Sequence, residues 1–305
     1  MGLTSQEGKK ISADKEKHIH IRKDTKVELG AAPYRFREDV VGSFGQVDAK
    51  AFMTEKVALL KYETVGDGNH RLMNEAITIV CMLMIKSERV PRILKRGEVN
   101  NIKYLLLTKT GPPLDEVLKK HGKLDLDAVL HIMKETLMCI RDVHQSQNRD
   151  SSVNSSLVTT AATSRTKTAI ATKLTAETIV PTPCSSTPGK YLSRRAQQDR
   201  EPSFLDDLES WLYFSYELYF DKPLPWAESS PNKMFIKKWN FYFSFAAELK
   251  DGKSKPRNEL FFSLLTLVYS TTPSNWLSII EECLGKIMAY QKDNQLDKLN
   301  LPWAK

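Results

Sequence analysis

The sequence predicts an α+β chain of two lobes, a small antiparallel-sheet lobe followed by a larger, mainly helical lobe. Two observations carry this. Short alternating apolar runs come first and longer runs with apolar residues at 3- and 4-residue steps come later, the order of a sheet layer packed on helices. Hydrophobic residues make up 41% of the 305 residues, which supplies a sizeable core.

Taken in order, residues 1–32 are polar with nearly balanced charge and are expected to form a flexible leader. The folded domain is expected over 33–292, with its small lobe at about 33–108 and its large lobe at about 112–292, followed by a tail at 293–305. Within the small lobe, 47–52 and 57–62 read as strands around a turn, 71–86 as a helix and 104–107 as a further strand. Gly111-Pro112-Pro113 ends that strand. Leu126, Val129, Met133, Leu137 and Ile140 then place a half-buried helix over 126–144. Between Gln145 and Thr187 the composition changes: about two fifths of the residues are Ser or Thr, with no Phe, Tyr, Trp or Gly. Such composition reads as an unstructured loop. Helices resume at 205–219, within 233–249, and within 258–290 with an interruption near Pro273.

Composition also excludes some classes. No apolar run approaches the roughly 18 to 20 residues of a membrane span, and Gln6 stands where a myristoylation signal needs Ser or Thr. The expectation is an intracellular protein, cytoplasmic or nuclear, with no membrane partner. Cys81, Cys139, Cys184 and Cys283 are scattered, without a CxxC pair or a His at metal-ligand spacing, so no metal site is expected. A net charge of +8 favours acidic partners in general and specifies no nucleic acid.

The chemistry-bearing residues begin at Gly42-Ser43-Phe44-Gly45-Gln46-Val47, a turn between strands in which backbone N–H groups can cover phosphates because glycines leave room. Lys61 follows in Val57-Ala58-Leu59-Leu60-Lys61, and Glu75 lies on the next helix. This ordered set is similar to the glycine-rich loop, strand lysine and helix glutamate of protein kinases. Gly111-Pro112-x-Leu114 after Leu105-Leu106-Leu107-Thr108-Lys109-Thr110, and Pro188-Gly189-Lys190-Tyr191 followed by Asp206-Asp207-Leu208-Glu209-Ser210 and Leu224-Pro225-Trp226, resemble the casein kinase 1 family, including its tau-tubulin-kinase-like branch.

The resemblance covers about residues 34–290 and implies a bilobal protein-kinase fold. It implies nucleotide binding by Gly42, Ser43, Gly45, Val47, Lys61, Glu75, Leu107, Thr108 and Thr110. Val47 would roof the base, Leu107 would be the gatekeeper, and Thr108 to Thr110 the hinge. Asp207 would tie the start of a central helix to the catalytic loop, and Lys190 would bind the phosphate of a phosphorylated substrate, with Arg194 and Arg195 extending the positive patch.

Several positions depart from the family. The catalytic loop is traced only as Asn148-Arg149-Asp150-Ser151-Ser152-Val153-Asn154-Ser155, which leaves Asp150 as the catalytic candidate while Ser152 replaces the lysine and Ser155 the metal-binding asparagine. No Asp occurs over 151–198, so the metal-binding aspartate has no counterpart. Val40 stands at the first loop glycine, and Leu59 stands where a small alanine makes room for adenine unless a bulge brings Ala58 into its place. The expectation is a pseudokinase that holds ATP weakly and without need of metal, and that binds or regulates acidic or phosphorylated proteins. The alternative is an active serine/threonine protein kinase, using magnesium, that acts on such proteins. A third reading takes 145–187 as a departure from the genuine chain, decided by peptide mass mapping across 149–190.

Overall fold

A computed structural model describes residues 19–21, 26–29, 32–37, 40–42, 44–51, 57–64, 71–99, 102–112, 114–148, 189–198, 200, 203–250 and 256–296. They fall into two compact units. The first holds the chain up to Met73 together with Ile93–Thr108; the second holds Asn74–Arg92 and the chain from Lys109 onward.

The first unit is built on strands β1 (Ile19–Ile21), β2 (Lys26–Leu29), β3 (Ala32–Phe36), β4 (Val40–Gly42), β5 (Phe44–Ala51), β6 (Val57–Thr64), β7 (Ile93–Val99) and β8 (Ile102–Thr108). Six of them form one antiparallel sheet in the order β2-β3-β5-β6-β8-β7, while β1 pairs with β4 separately. Period-2 alternation sorts the residues: Ala49, Ala58, Leu60, Tyr62, Ile102, Tyr104 and Leu106 pack together on one face, joined by Tyr34. Two tyrosines fit there because each lies across from a glycine. Gly45 pairs with Tyr62 and Gly97 with Tyr104. A Cβ at Gly45 would sit 2.6 Å from the Tyr62 hydroxyl, and one at Gly97 2.8 Å from that of Tyr104.

Two features depart from the sequence expectation. The stretch expected as a leader contains β1 and β2, whose Ile-His-Ile and Val-Glu-Leu alternation is too short to stand out from its charged surroundings. Strand β7 has no counterpart in the sequence expectation, because it is an edge strand carrying Lys95, Arg96 and Glu98, and polar edges resist pairing with other chains.

Helix α1 (Arg71–Met84) has no acid in its own first turn. The buried Glu63 at the end of β6 supplies one, accepting the Leu72 N–H at 3.3 Å near the positive end of the helix.

The second unit continues with α2 (Leu114–His121), α3 (Leu126–Asn148), α4 (Phe204–Phe220), α5 (Pro231–Lys250), α6 (Pro256–Tyr269) and α7 (Trp276–Asp293). Its core joins Leu130, Met133, Leu137 and Ile140 of α3 to Leu208, Trp211 and Leu212 of α4, with Phe261, Leu264, Ile280 and Ile287 from the last two helices. Trp211 buries its ring completely and donates its indole N–H to the Met133 carbonyl at 3.1 Å, so the large apolar group leaves no polar atom unpaired. Helix α4 starts where Asp206 accepts the Ser203 N–H at 2.7 Å, and it ends at Asp221, whose φ of 53° is left-handed. The helices expected at 126–144, 205–219, 233–249 and 258–290 are all found, the last divided around Pro273. Helix α2 was not anticipated, since it buries only Leu114 and Val117. No helix among the described residues is long and apolar enough to cross a membrane.

Candidate functional site

The nucleotide candidates of the first unit are distributed by strand register. Gly42 ends β4, Gly45 and Val47 lie on β5, Lys61 on β6, and Leu107 and Thr108 at the end of β8. Ser43 and Asp150 lie outside the described residues. The β5–β6 ladder runs without a shift from Phe44↔Glu63 to Lys50↔Val57, and β6–β8 from Ala58↔Thr108 to Thr64↔Ile102. A bulge in 57–61 is therefore absent. Strand alternation puts Leu59, Lys61, Leu105 and Leu107 on one face of the sheet, and Ala58 with Leu60 in the packed cluster on the other. Leu59 and Leu107 pair directly and are both buried.

The expected adenine-side position is thus filled by a leucine. Val47 pairs with Leu60 and Lys61 with Gln46. Gly45 leaves the room that the Tyr62 ring occupies, which gives this glycine a packing role of its own. Glu75 on α1 and Thr110 after β8 are half-buried and belong to the second unit.

In the second unit the candidate residues are held by polar contacts to the acids of α4. His144 on α3 is wholly buried and donates from Nε2 to Asp207 at 2.9 Å. Its ring packs on Phe204 at 4.4 Å and Trp276 at 5.3 Å, and its Nδ1 has no hydrogen-bond partner among the described residues. Asp207 thereby ties the start of α4 to the end of α3 through a side chain.

Residues 189–198 lie against α4 and α5 through a series of such contacts. Glu217 of α4 accepts from Lys190 Nζ at 2.8 and 2.7 Å, from the Tyr191 hydroxyl, and from the Leu224 N–H at 3.1 Å. Burial, with the Glu217 hydrogen bond and charge adding to it, drives the Tyr191 phenol well above its ordinary pKa. Trp226 donates its indole N–H to the Lys190 carbonyl at 2.8 Å. Arg194 donates to Glu209 from both backbone N and Nε, at 2.8 and 2.9 Å, and its guanidinium lies 3.9 Å from the Tyr269 ring centre and 4.7 Å from that of Trp239. Ser193 Oγ donates to Asp206 at 2.5 Å, and Arg195 lies 3.7 Å from the same carboxylate.

Lys238 of α5, fully buried, donates to the Leu192 carbonyl at 2.6 Å. Desolvation lowers its amine to about 8, against the opposing pull of Glu209.

This arrangement is chemically an anchor. The expected anion-binding residue Lys190 shares its charge with Glu217, and Arg194 and Arg195 have carboxylate neighbours in Glu209 and Asp206. A phosphate at Lys190 would have to compete with Glu217. Sequence reasoning gave no role to Glu209, Glu217, Lys238 or His144. The available signal was that Asp206, Asp207, Glu209 and Glu217 stand in an otherwise apolar and aromatic helix, where each buried acid needs a donor. A comparison of the chain with models of known protein families gives no match, and neither does a comparison with curated proteins.

Proposed function

We propose that this chain is a pseudokinase of casein kinase 1 type, a binding or regulatory protein that holds ATP weakly and transfers no phosphate at a useful rate. The observation that carries the reading is the unshifted β5–β6 register, which leaves Leu59 on the face of Lys61. The order β3-β5-β6-β8-β7, with α1 inserted between β6 and β7, supports the small-lobe part of it. So does the acid-anchored segment at 189–198 followed by α4. Loss of the magnesium-binding carboxylate and of the catalytic lysine removes groups that each contribute several kcal/mol to transition-state stabilisation. Partners of acidic or phosphorylated character suit the net charge of +8.

The test is titration of the purified protein with ATP, with and without magnesium, followed by thermal shift, alongside a radiolabel-transfer assay on an acidic protein. Transfer should be lower than that of an active relative by at least about three orders of magnitude, and any thermal shift should be small and independent of magnesium. Robust magnesium-dependent transfer that disappears in Asp150→Ala would establish the active-kinase alternative instead.

A further inference from the structure

The turn after α1, the end of α3 and the start of α7 enclose a cavity of about 540 Å³ within the second unit. Sites for small ligands and side chains span roughly 300 to 1,000 Å³. Its apolar lining is Ile85, Trp276 and Leu277. Trp276 is buried and fixed, its ring 5.3 Å from that of His144 and 5.6 Å from that of Phe204. Most of the polar lining is engaged with itself. Buried Asp142 accepts from Ser87 Oγ at 2.6 Å and from Arg89 at 3.2 Å, and lies 3.4 Å from Arg141. Glu135 and Glu281, which do not line the cavity, meet the same two arginines at 3.2 and 2.9 Å. The walls are thereby preformed, which lowers the cost of binding.

Lys86 differs from the two arginines. It is exposed, and among the described residues its ammonium meets no carboxylate. It also stands at φ 60° where α1 ends, its N–H donating to the Leu83 carbonyl at 2.9 Å and the Ser87 N–H to that of Met82 at 3.0 Å. Glycine ordinarily takes this place, because a side chain there is strained. A strained residue at the rim of a cavity points to use of its side chain.

We propose that this cavity takes an acidic peptide segment, with a carboxylate held by Lys86 and the Gln145 side-chain amide and an adjacent apolar side chain seated on Trp276 and Leu277. A lone ammonium suits a single carboxylate, whereas phosphate is better matched by a guanidinium fork, and both forks here are engaged. The lining sets Lys86, Arg89 and Arg141 against Asp142 alone, in keeping with the net charge of +8. Exposed Lys86 and Leu277 leave the mouth open to a passing chain. The site contains none of the nucleotide candidates and not Lys190, so it does not rest on the kinase reading.

The experiment is fluorine NMR titration of the full chain with a capped tripeptide of para-fluorophenylalanine between two glutamates, with thermal melting as the check on folding. A Kd on the order of 1 mM is expected at low salt, weakening as salt rises. Lys86→Gly should weaken binding about 3- to 5-fold while the melting temperature holds or rises, because charge and strain leave together. Leu277→Glu, which sets a like charge in the mouth, should weaken it at least ~3-fold, as should glutamines in place of the peptide's glutamates. Lys119→Gln removes an exposed charge on α2 and should leave the Kd unchanged. A Kd indifferent to Lys86→Gly, or equal weakening by Lys119→Gln, would reduce the effect to general charge attraction and overturn the proposal. Displacement of the peptide by an equal concentration of inorganic phosphate would overturn it in favour of a phosphate site.

Discussion

Strand β6 and helix α4 both carry charged residues at the edge of a packed core, yet their substitution has different consequences. On β6, Leu59 pairs with Leu107, both are buried, and both lie on the face of Lys61. On α4, every acid is met: Asp206 by Ser193 and Ser203, Asp207 by His144, Glu209 by Arg194 and Tyr213, and Glu217 by Lys190, Tyr191 and the Leu224 N–H. Removing any of these acids strands a donor away from water. An apolar position such as Leu59 can therefore change without stranding a polar group, whereas an acid that holds buried donors cannot.

That contrast is broken most directly at Glu209. Glu209→Gln leaves the Arg194 guanidinium without its carboxylate and deprives Lys238 of the one charge that offsets its burial. A loss of about 3–5 kcal/mol is expected in urea denaturation. A loss under about 1 kcal/mol would mean that the α4 acids are as dispensable as the β6 residues.

Gly45→Ala sharpens the other side of the comparison. Its methyl meets the Tyr62 ring, with the hydroxyl at 2.6 Å and Cζ at 2.9 Å. A destabilisation of up to about 3 kcal/mol should follow, and Tyr62→Phe in the same chain should recover part of it by removing the nearest atom. If Gly45→Ala proves neutral, the glycine is not a packing requirement and its place in a phosphate loop regains weight.

The smallest effect concerns pH. Lys238 titrates at about 8 in the folded chain against an ordinary value of 10.5. Between these values the unfolded chain binds the proton more tightly, so stability rises with pH across that window, and below about 8 the full cost of burying the ammonium is present. Relative to Lys238→Met, which has no amine to titrate, the wild-type chain should gain roughly 1–2 kcal/mol between pH 7.5 and 9.5 in chemical denaturation. Parallel stability curves for the two proteins would show that the amine is solvated.

Much of the fold was legible because it follows from periodicity. The helices of the second unit announced themselves through apolar steps such as Leu126, Val129, Met133 and Leu137, and their bounds moved by only a few residues. Strands β1, β2 and β7 were not legible, since three to seven residues with interleaved charge carry too little pattern. At the candidate site, sequence spacing singled out Lys61, Leu107 and Lys190 but left open whether Ala58 or Leu59 shares a face with Lys61. Only pairing register decides that, and register depends on residues in other strands. The partners of Lys190 and Arg194 were likewise hidden: Glu217 and Glu209 are far along the chain and meet them only when 189–198 lies on α4.

Glu217 has a mechanical consequence. One carboxylate binds Lys190 and Tyr191 on one loop and the Leu224 N–H on another, and Trp226 closes the circuit by donating to the Lys190 carbonyl. The two loops are thereby riveted to a single pin. Anything that draws Lys190 away from Glu217 must loosen the turn at 224–226, and anything that grips that turn must change how readily Lys190 is released. Because such coupling is reciprocal, the two loops report on each other in equal measure.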